Sequence, residues 1–410
     1  MPCKVLLLTQ WFDPEPTIKG LPFARELVRR GFSVEVVTGF PNYPSGRLYP
    51  GYRLRLLQRE TIDGVRVSRV PLYPSHDQSA IRRLLNYASF GLAATLYGWL
   101  AAGRSDVVYA YHPPLTVGIA AVLIGAVRRR PVVYDIQDMW PDTLKATGMV
   151  RNARLLRVVD VVSRWVYRHV DHIVVLSPGF RRLLQERGVP PGKLDVIYNW
   201  ADEAALQQEG GSLPVAYPAA DRFRVVFAGN MGKAQALESV LEAAAILQRR
   251  GSRVSFVLIG GGVELEGLKR RAEREALLNV VFMPALPMSV IGAYLRAADA
   301  LLVNLRRDPL FAITIPSKTQ AYMAVGKPLL LAVEGDAADL VARSRCGVLA
   351  VPEDPQSIAE SADRLASMPV TELARMGENA AQFYREHLSI HRGVDAFAAL
   401  FDRMHEGRAC

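Results

Sequence analysis

Residues 315–328 read Ile-Pro-Ser-Lys-Thr-Gln-Ala-Tyr-Met-Ala-Val-Gly-Lys-Pro, a helix entered through a proline turn and left through a glycine. Pro316 presets the entry, and the Ser317 hydroxyl is placed to cap free first-turn N–H groups. Gly326 ends the helix, and Pro328 opens an apolar run over 329–333 that reads as a buried strand. Lys318 does not fit this pattern. A cation in the first helical turn is repelled by the positive end of the helix dipole. The cost is offset where an anion binds, and a helix start carrying a lysine suits a diphosphate. A solvated lysine on an ordinary αβ turn is the alternative that these fourteen residues leave open.

Working outward, the chain of 410 residues is long enough for two domains with full-sized cores. Three widely spaced cysteines (Cys3, Cys346 and Cys410) form no CxxC or metal-ligand pattern, which fits a reducing cytosolic setting. Met1 leads directly into an apolar strand, with no leader-peptide pattern. The net charge is +10 and lopsided: residues 1–199 hold 27 Lys and Arg against 15 Asp and Glu, and the remainder 23 against 25. No nucleic-acid motif or basic tail accompanies the excess. An anionic membrane or acceptor accounts for it better than nucleic acid.

The chain opens with a βαβ unit: strand 5–9, helix 23–30, strand 34–38. The loop after the first strand, QWFDPEPTIKGLP, holds only Gly20 near the helix start, not the GxGxxG of a nicotinamide site. Gly20 either approaches a ligand or serves a simple turn. Asp63-Gly64 predicts a hairpin between 53–59 and 65–70. Residues 84–103 carry no charge and are flanked by arginines. They fit a helix lying on or dipping into a membrane face; a buried domain helix and a true span are the other readings. Strands follow at 106–111, 132–136, 173–176 and 196–198. Residues 199–221 lack periodicity and mark the domain boundary. A second alternation then places strands at 225–228, 254–259, 280–283, 300–303, 329–333 and 348–351, with helices between. The fold class is α/β, two tandem Rossmann-like, doubly wound domains: 1–205, and 206–389 with the helix from about 390 to 410 packing back on the first domain.

Ligands of such sheets sit beyond the strand carboxyl ends. There the second domain has three unusual turns: GNMGKAQ at 229–235, Gly260-Gly261-Gly262, and the Ser317 helix start. Glycines let backbone N–H groups approach a phosphate, and Lys233 adds charge. GxxxxGK[ST] is absent, which argues against a P-loop NTPase. In the first domain His112 and Asp138 also follow strands, as ligand contacts or as structural hydrogen-bonders.

With these motifs (KGLPFARELVRRGFSVEVVTGFPNYP, YAYHPPLTVG, YDIQDMWPD, GNMGKAQ, IGGG and IPSKTQAYMAVGKP) the chain resembles the retaining GT-B glycosyltransferases of family GT4. It is most similar to the branch building bacterial surface polysaccharides (O-antigen, capsule, exopolysaccharide) and lipid-linked oligosaccharides. The resemblance implies two domains facing across a cleft. The second would hold a nucleotide-sugar, most often a UDP-sugar; the first would hold a polyprenyl-diphosphate-linked sugar at the inner face of the cytoplasmic membrane. The diphosphate would lie on the turn from Gly229 to Gly232 and on the Ser317 helix, with Lys318 neutralising the leaving group, Gly20 approaching from the first domain and the base near Met283. Asn230, Lys233, Gln235 and Gly260 are further donor-binding candidates. His112 would stand close to the reacting sugar, and Asp138 is a candidate acceptor contact. No cofactor and no metal is implied. The family commonly carries two glutamates seven residues apart; here those positions are Ile313 and Ala321. Gln320, Glu334 and Asp336 are candidate substitutes. An epimerase or phosphorylase on the same fold, or a non-catalytic nucleotide-sugar-binding partner, are the alternatives.

Overall fold

The computed structural model describes residues 2–75, 80–146, 148–150, 152–208, 217–219 and 221–407. Cys410 and residues 209–216 and 220 of the 199–221 linker therefore lie outside the described residues. The chain forms two compact units, 1–198 with 390–410, and 199–389.

In the first unit the strands are β1 (Lys4–Thr9), β2 (Ser33–Gly39), β3 (Gln58–Ile62), β4 (Val65–Val70), β5 (Val107–Tyr111), β6 (Val132–Ile136), β7 (His172–Val175) and β8 (Leu194–Val196). They form one sheet in the order β3-β4-β2-β1-β5-β6-β7-β8. Every pairing is parallel except the β3–β4 hairpin. Helices cover both faces, which is why β1, β5 and β6 read as almost unbroken apolar runs. The hairpin turns at Asp63-Gly64, both at positive φ, but its first strand begins at Gln58, not at residue 53. Pairing with β4 leaves residues 53–57 beyond the strand's reach.

The uncharged stretch becomes the helix Ala80–Leu100. Strands of the same sheet precede and follow it, and among the described residues no helix is long and apolar enough to cross a membrane. The true span is thereby excluded for this stretch. One side of the helix packs on the helix Leu115–Arg128, with Gly91 against Thr116 and Gly98 against Ile124. Beyond that contact Leu85, Leu92 and Leu96 are exposed, as is much of Trp99, whose indole donates to the Leu123 carbonyl. The helix Ile390–Glu406 also belongs to this unit. Its Phe397 ring lies 5.2 Å from that of Phe23 and 5.3 Å from that of Tyr109. Burying one such ring is worth about 1.5–3 kcal/mol.

The second unit holds β9 (Phe223–Asn230), β10 (Val254–Gly261), β11 (Val280–Met283), β12 (Ala300–Asn304), β13 (Leu329–Ala332) and β14 (Gly347–Leu349). They form an all-parallel sheet in the order β11-β10-β9-β12-β13-β14. The unit begins at Asn199, earlier than the linker composition suggests. The short helix Glu203–Gln207 is held to it by Arg296, which donates to the carbonyls of Leu206 and Gln208. In each sheet the strand order reverses once, between β1 and β5 and between β9 and β12. Side chains after those strands converge on the crevice where such sheets take ligands.

Candidate functional site

The helix Ser317–Val325 starts beside the β9/β12 reversal, and its N-cap residue is Pro316. Ser317 is the first helical residue and makes no cap, contrary to the sequence expectation, because the proline turn already places it inside the helix. Gly326 ends the helix in the left-handed region at φ +76°, as the sequence indicates.

Lys318 folds back over β9. Its Nζ lies 4.8 Å from the centre of the Phe227 ring. A Cβ built on Gly229 would fall 2.7 Å from Lys318 Cε and 2.9 Å from Nζ, so a glycine lets the ammonium lie against the end of β9, which runs through the expected turn as far as Asn230. Among the described residues no carboxylate pairs with this amine, and burial pulls it down to about 8. Gly260 lies directly opposite Gly229 in the sheet, and a Cβ there would meet the Gly229 carbonyl oxygen at 2.0 Å. This glycine pair has a structural cause of its own, independent of any ligand.

A cavity of about 690 Å³ opens here. Gly229, Asn230, Gly260, Ser317 and Lys318 line one side, and Leu286, Met288 and Ile291 the other. The remaining candidates lie elsewhere. Lys233 and Gly232 line a separate cavity with Glu238, Glu242, Glu264 and Glu353, whose acidic walls do not suit a diphosphate. Gln235 accepts a hydrogen bond from the Gly232 N–H and shapes its own turn. Met283 is buried, and the cavity wall is made by Ala285 and Leu286 instead. None of the three substitutes for the missing glutamates lines the cavity. The buried Gln320 amide turns back to the Pro316 carbonyl, Glu334 accepts from Arg307, and Asp336 is buried in the first turn of the helix Asp336–Ser344.

In the first unit, Gly20 starts the helix Leu21–Arg29 in contact with Asp13, whose carboxylate accepts from the Leu21 N–H at 2.6 Å. A Cβ on Gly20 would lie 2.4 Å from that carboxylate, so the glycine is required by the turn itself. His112 follows β5, and its ring meets those of Tyr134 and Trp140 edge-on at 5.9 and 5.4 Å. Burial pulls its imidazole down to about 3, so it is neutral at pH 7, and Nδ1 has no hydrogen-bond partner among the described residues. It offers an oriented neutral ring, not a positive charge. Asp138, after β6, is pushed up to about 6 by burial, a range in which a carboxyl exchanges protons near neutrality.

Two family models match the chain: a glycosyl transferase 4-like domain over residues 21–200 and a glycosyl transferases group 1 domain over 216–383. The chain is a GT4-like glycosyltransferase. The Escherichia coli protein WcaI, named for colanic acid biosynthesis as a glycosyl transferase, is 26% identical over 345 residues, 81% of this chain and 83% of WcaI. Sucrose-phosphate synthase from Thermosynechococcus elongatus superposes with a TM-score of 0.75 at 14% identity, over 99% of this chain and 100% of that one. Anabaena HepE, solved in complex with UDP-glucose, gives 0.68 at 16% identity, over 97% and 99%. At such identities the structural likenesses speak for the fold alone, which is GT-B.

Two parts of the glycosyltransferase escaped the sequence reading. Tyr322, one turn after Lys318, accepts from the Ala228 N–H at 2.9 Å and ties the helix to the end of β9. The i, i+4 spacing of Lys318 and Tyr322 on one helical face is the signal that could have found it. The second part is Asp135. Its carboxylate takes Lys19 Nζ at 2.5 Å, Tyr109 Oη at 2.6 Å and Gln137 Nε2 at 2.6 Å, while its carbonyl accepts from the His112 N–H. One residue thus joins the segments carrying Gly20, His112 and Asp138. An acid inside the apolar strand VVYDI calls for a buried cation, which the sequence does not locate.

Proposed function

We propose that this glycosyltransferase moves a sugar from a nucleoside diphosphate, a UDP-sugar, to a polyprenyl-diphosphate-linked sugar in the building of a surface polysaccharide, with retention at the anomeric carbon. The observation carrying this reading is Lys318, a half-buried ammonium at a helix start that lies against Gly229 at the end of β9 with no carboxylate partner among the described residues. Such a group is stabilised by the charge that builds on a departing diphosphate. No carboxylate lines the cavity among the described residues, so the donor set there is poor for a divalent cation. The leaving group is therefore assigned to lysine and helix start. The anomeric carbon–phosphate oxygen bond would break and the acceptor hydroxyl attack on the same face, past an oxocarbenium-like centre. The hydroxyl proton would pass to the departing diphosphate, with His112 orienting the sugar as a neutral ring. The likeness to WcaI supports the polysaccharide part of the reading.

The test is a panel of nucleotide-sugars incubated with lipid extracted from bacterial membranes. Mass spectrometry should find one added sugar on the lipid and free UDP in equal amount. Turnover of the donor without an acceptor, or a rearranged sugar, would favour the epimerase or phosphorylase alternatives.

The membrane part of the reading rests on an imbalance. Of 22 exposed large apolar side chains among the described residues, 16 fall between Leu54 and Trp165. Leu85, Leu92, Leu96 and Trp99 form one stripe; Leu155, Val158, Val161 and Trp165 form another, on the helix Ala153–His169, whose Arg154, Arg157, Arg164 and Arg168 are also exposed. Apolar stripes beside arginines fit an anionic bilayer surface. Sedimentation should bring the protein down with phosphatidylglycerol vesicles and not with neutral ones. The double variant Leu92→Glu/Leu96→Glu should weaken this at least tenfold; unchanged sedimentation would remove the membrane assignment.

A further inference from the structure

Resting on the nucleotide reading of this cavity, we infer that the site does not select for the ribose hydroxyls: nucleotides with ribose and with 2′-deoxyribose bind alike, and Ala321 is the residue that decides it. Sites that reject a missing hydroxyl do so because a buried acceptor, satisfied by the correct ligand, is left unpaired by the analogue. In doubly wound nucleotide sites that acceptor is commonly a carboxylate on the ribose. Among the described residues the cavity beside Lys318 has no such group. Its polar side chains are Asn230, Ser317, Lys318 and Tyr322. An ammonium cannot accept, and the Tyr322 oxygen is already engaged by Ala228. Asn230 is exposed, so water replaces any bond it loses.

The described buried polar atoms left without a partner include Asn304 Oδ1 and Thr319 Oγ1, but none belongs to a residue lining this cavity. Among the described residues no buried side-chain acceptor of this lining is held in wait for a hydroxyl, and Ser317, like Asn230, is exposed, so water replaces any bond it loses. Ala321 lines the cavity one helical turn beyond Ser317 and presents only a methyl group. Of the neighbouring acids, Glu334 pairs with Arg307 and Asp336 is buried at the start of the helix Asp336–Ser344, and neither lines the cavity. The contacts that remain, phosphates on Lys318 and base on the Leu286 and Met288 wall, are the same for both nucleotides.

Titration calorimetry of the full chain with UDP and with 2′-deoxy-UDP tests this. The two dissociation constants should agree within about threefold. UDP bound tenfold or more tightly than its deoxy analogue would overturn the inference while leaving the nucleotide site standing. Binding of neither would overturn the nucleotide reading and this inference with it. The variant Ala321→Glu, with an unchanged unfolding midpoint, should create a preference for UDP of at least tenfold. An unmoved ratio in that variant would overturn the role given to Ala321.

Discussion

Lys318→Ala should lower kcat/KM for the donor by roughly 10²–10³, about 2.7–4 kcal/mol, the usual cost of removing one preorganised group that stabilises developing negative charge. The size follows from the setting. The amine lies over Phe227 and against Gly229 near the end of β9, is mostly buried, and has no carboxylate partner among the described residues. A diphosphate there meets a charge that is already placed and already desolvated. The same setting gives a pH signature. Burial holds the free amine at about 8, below its ordinary value of 10.5. Bound diphosphate favours the charged form and raises it, so above pH 8 binding must take up a proton. UDP affinity should fall about tenfold per pH unit above 8 in the parent protein and be flat over that range in Lys318→Ala. Calorimetry in buffers of different ionisation enthalpy would show the proton directly. Near-normal turnover and binding in a folded Lys318→Ala protein would remove the donor assignment.

Separating Lys19 from Asp135 should cost stability on a comparable scale. Both side chains are 0% exposed, and their contact is 2.5 Å. Removing one partner leaves an uncompensated charge in the interior, typically 3–5 kcal/mol, whereas replacing both by neutral groups of similar size is often close to neutral. Lys19→Met and Asp135→Leu should each lower the urea midpoint of the first unit sharply. Lys19→Met/Asp135→Asn should recover most of the loss, since the asparagine oxygen can still accept from Tyr109 while its NH2 donates to the Gln137 side-chain oxygen once that amide turns over. Single variants that cost less than 1 kcal/mol would show that the pair is not dry. Phe397 lies 5.0 Å from the same ammonium, so the helix Ile390–Glu406 helps exclude water from the pair.

Much of the architecture was legible because its signals are local. Apolar runs bounded by glycine and proline gave the strands, and their alternation with amphipathic helices required parallel sheets. Gly326 and Asp63-Gly64 marked turns that need positive φ. The Ser317 cap was misjudged because proline and serine both suit a helix entry and only backbone geometry says which of them lies outside. The hairpin strand at 53–59 was placed early because strand length depends on how far the partner extends.

The sequence by itself determined two doubly wound units, the glycosyltransferase family, and a lysine at a helix start, a placement that suits an anion. Its order also determined that the Gly229 turn and the Ser317 helix belong to one sheet, since each directly follows or precedes a strand. Only the tertiary structure decided that Lys318 lies on Gly229 while Lys233 turns to an acidic cavity, and that neither Glu334 nor Asp336 lines the cavity beside Lys318. It alone joined Lys19 to Asp135 across 116 residues of chain. The physical reason is reach: periodicity and turn chemistry act over a few residues, whereas pairing of charges depends on which strand ends the sheet brings side by side.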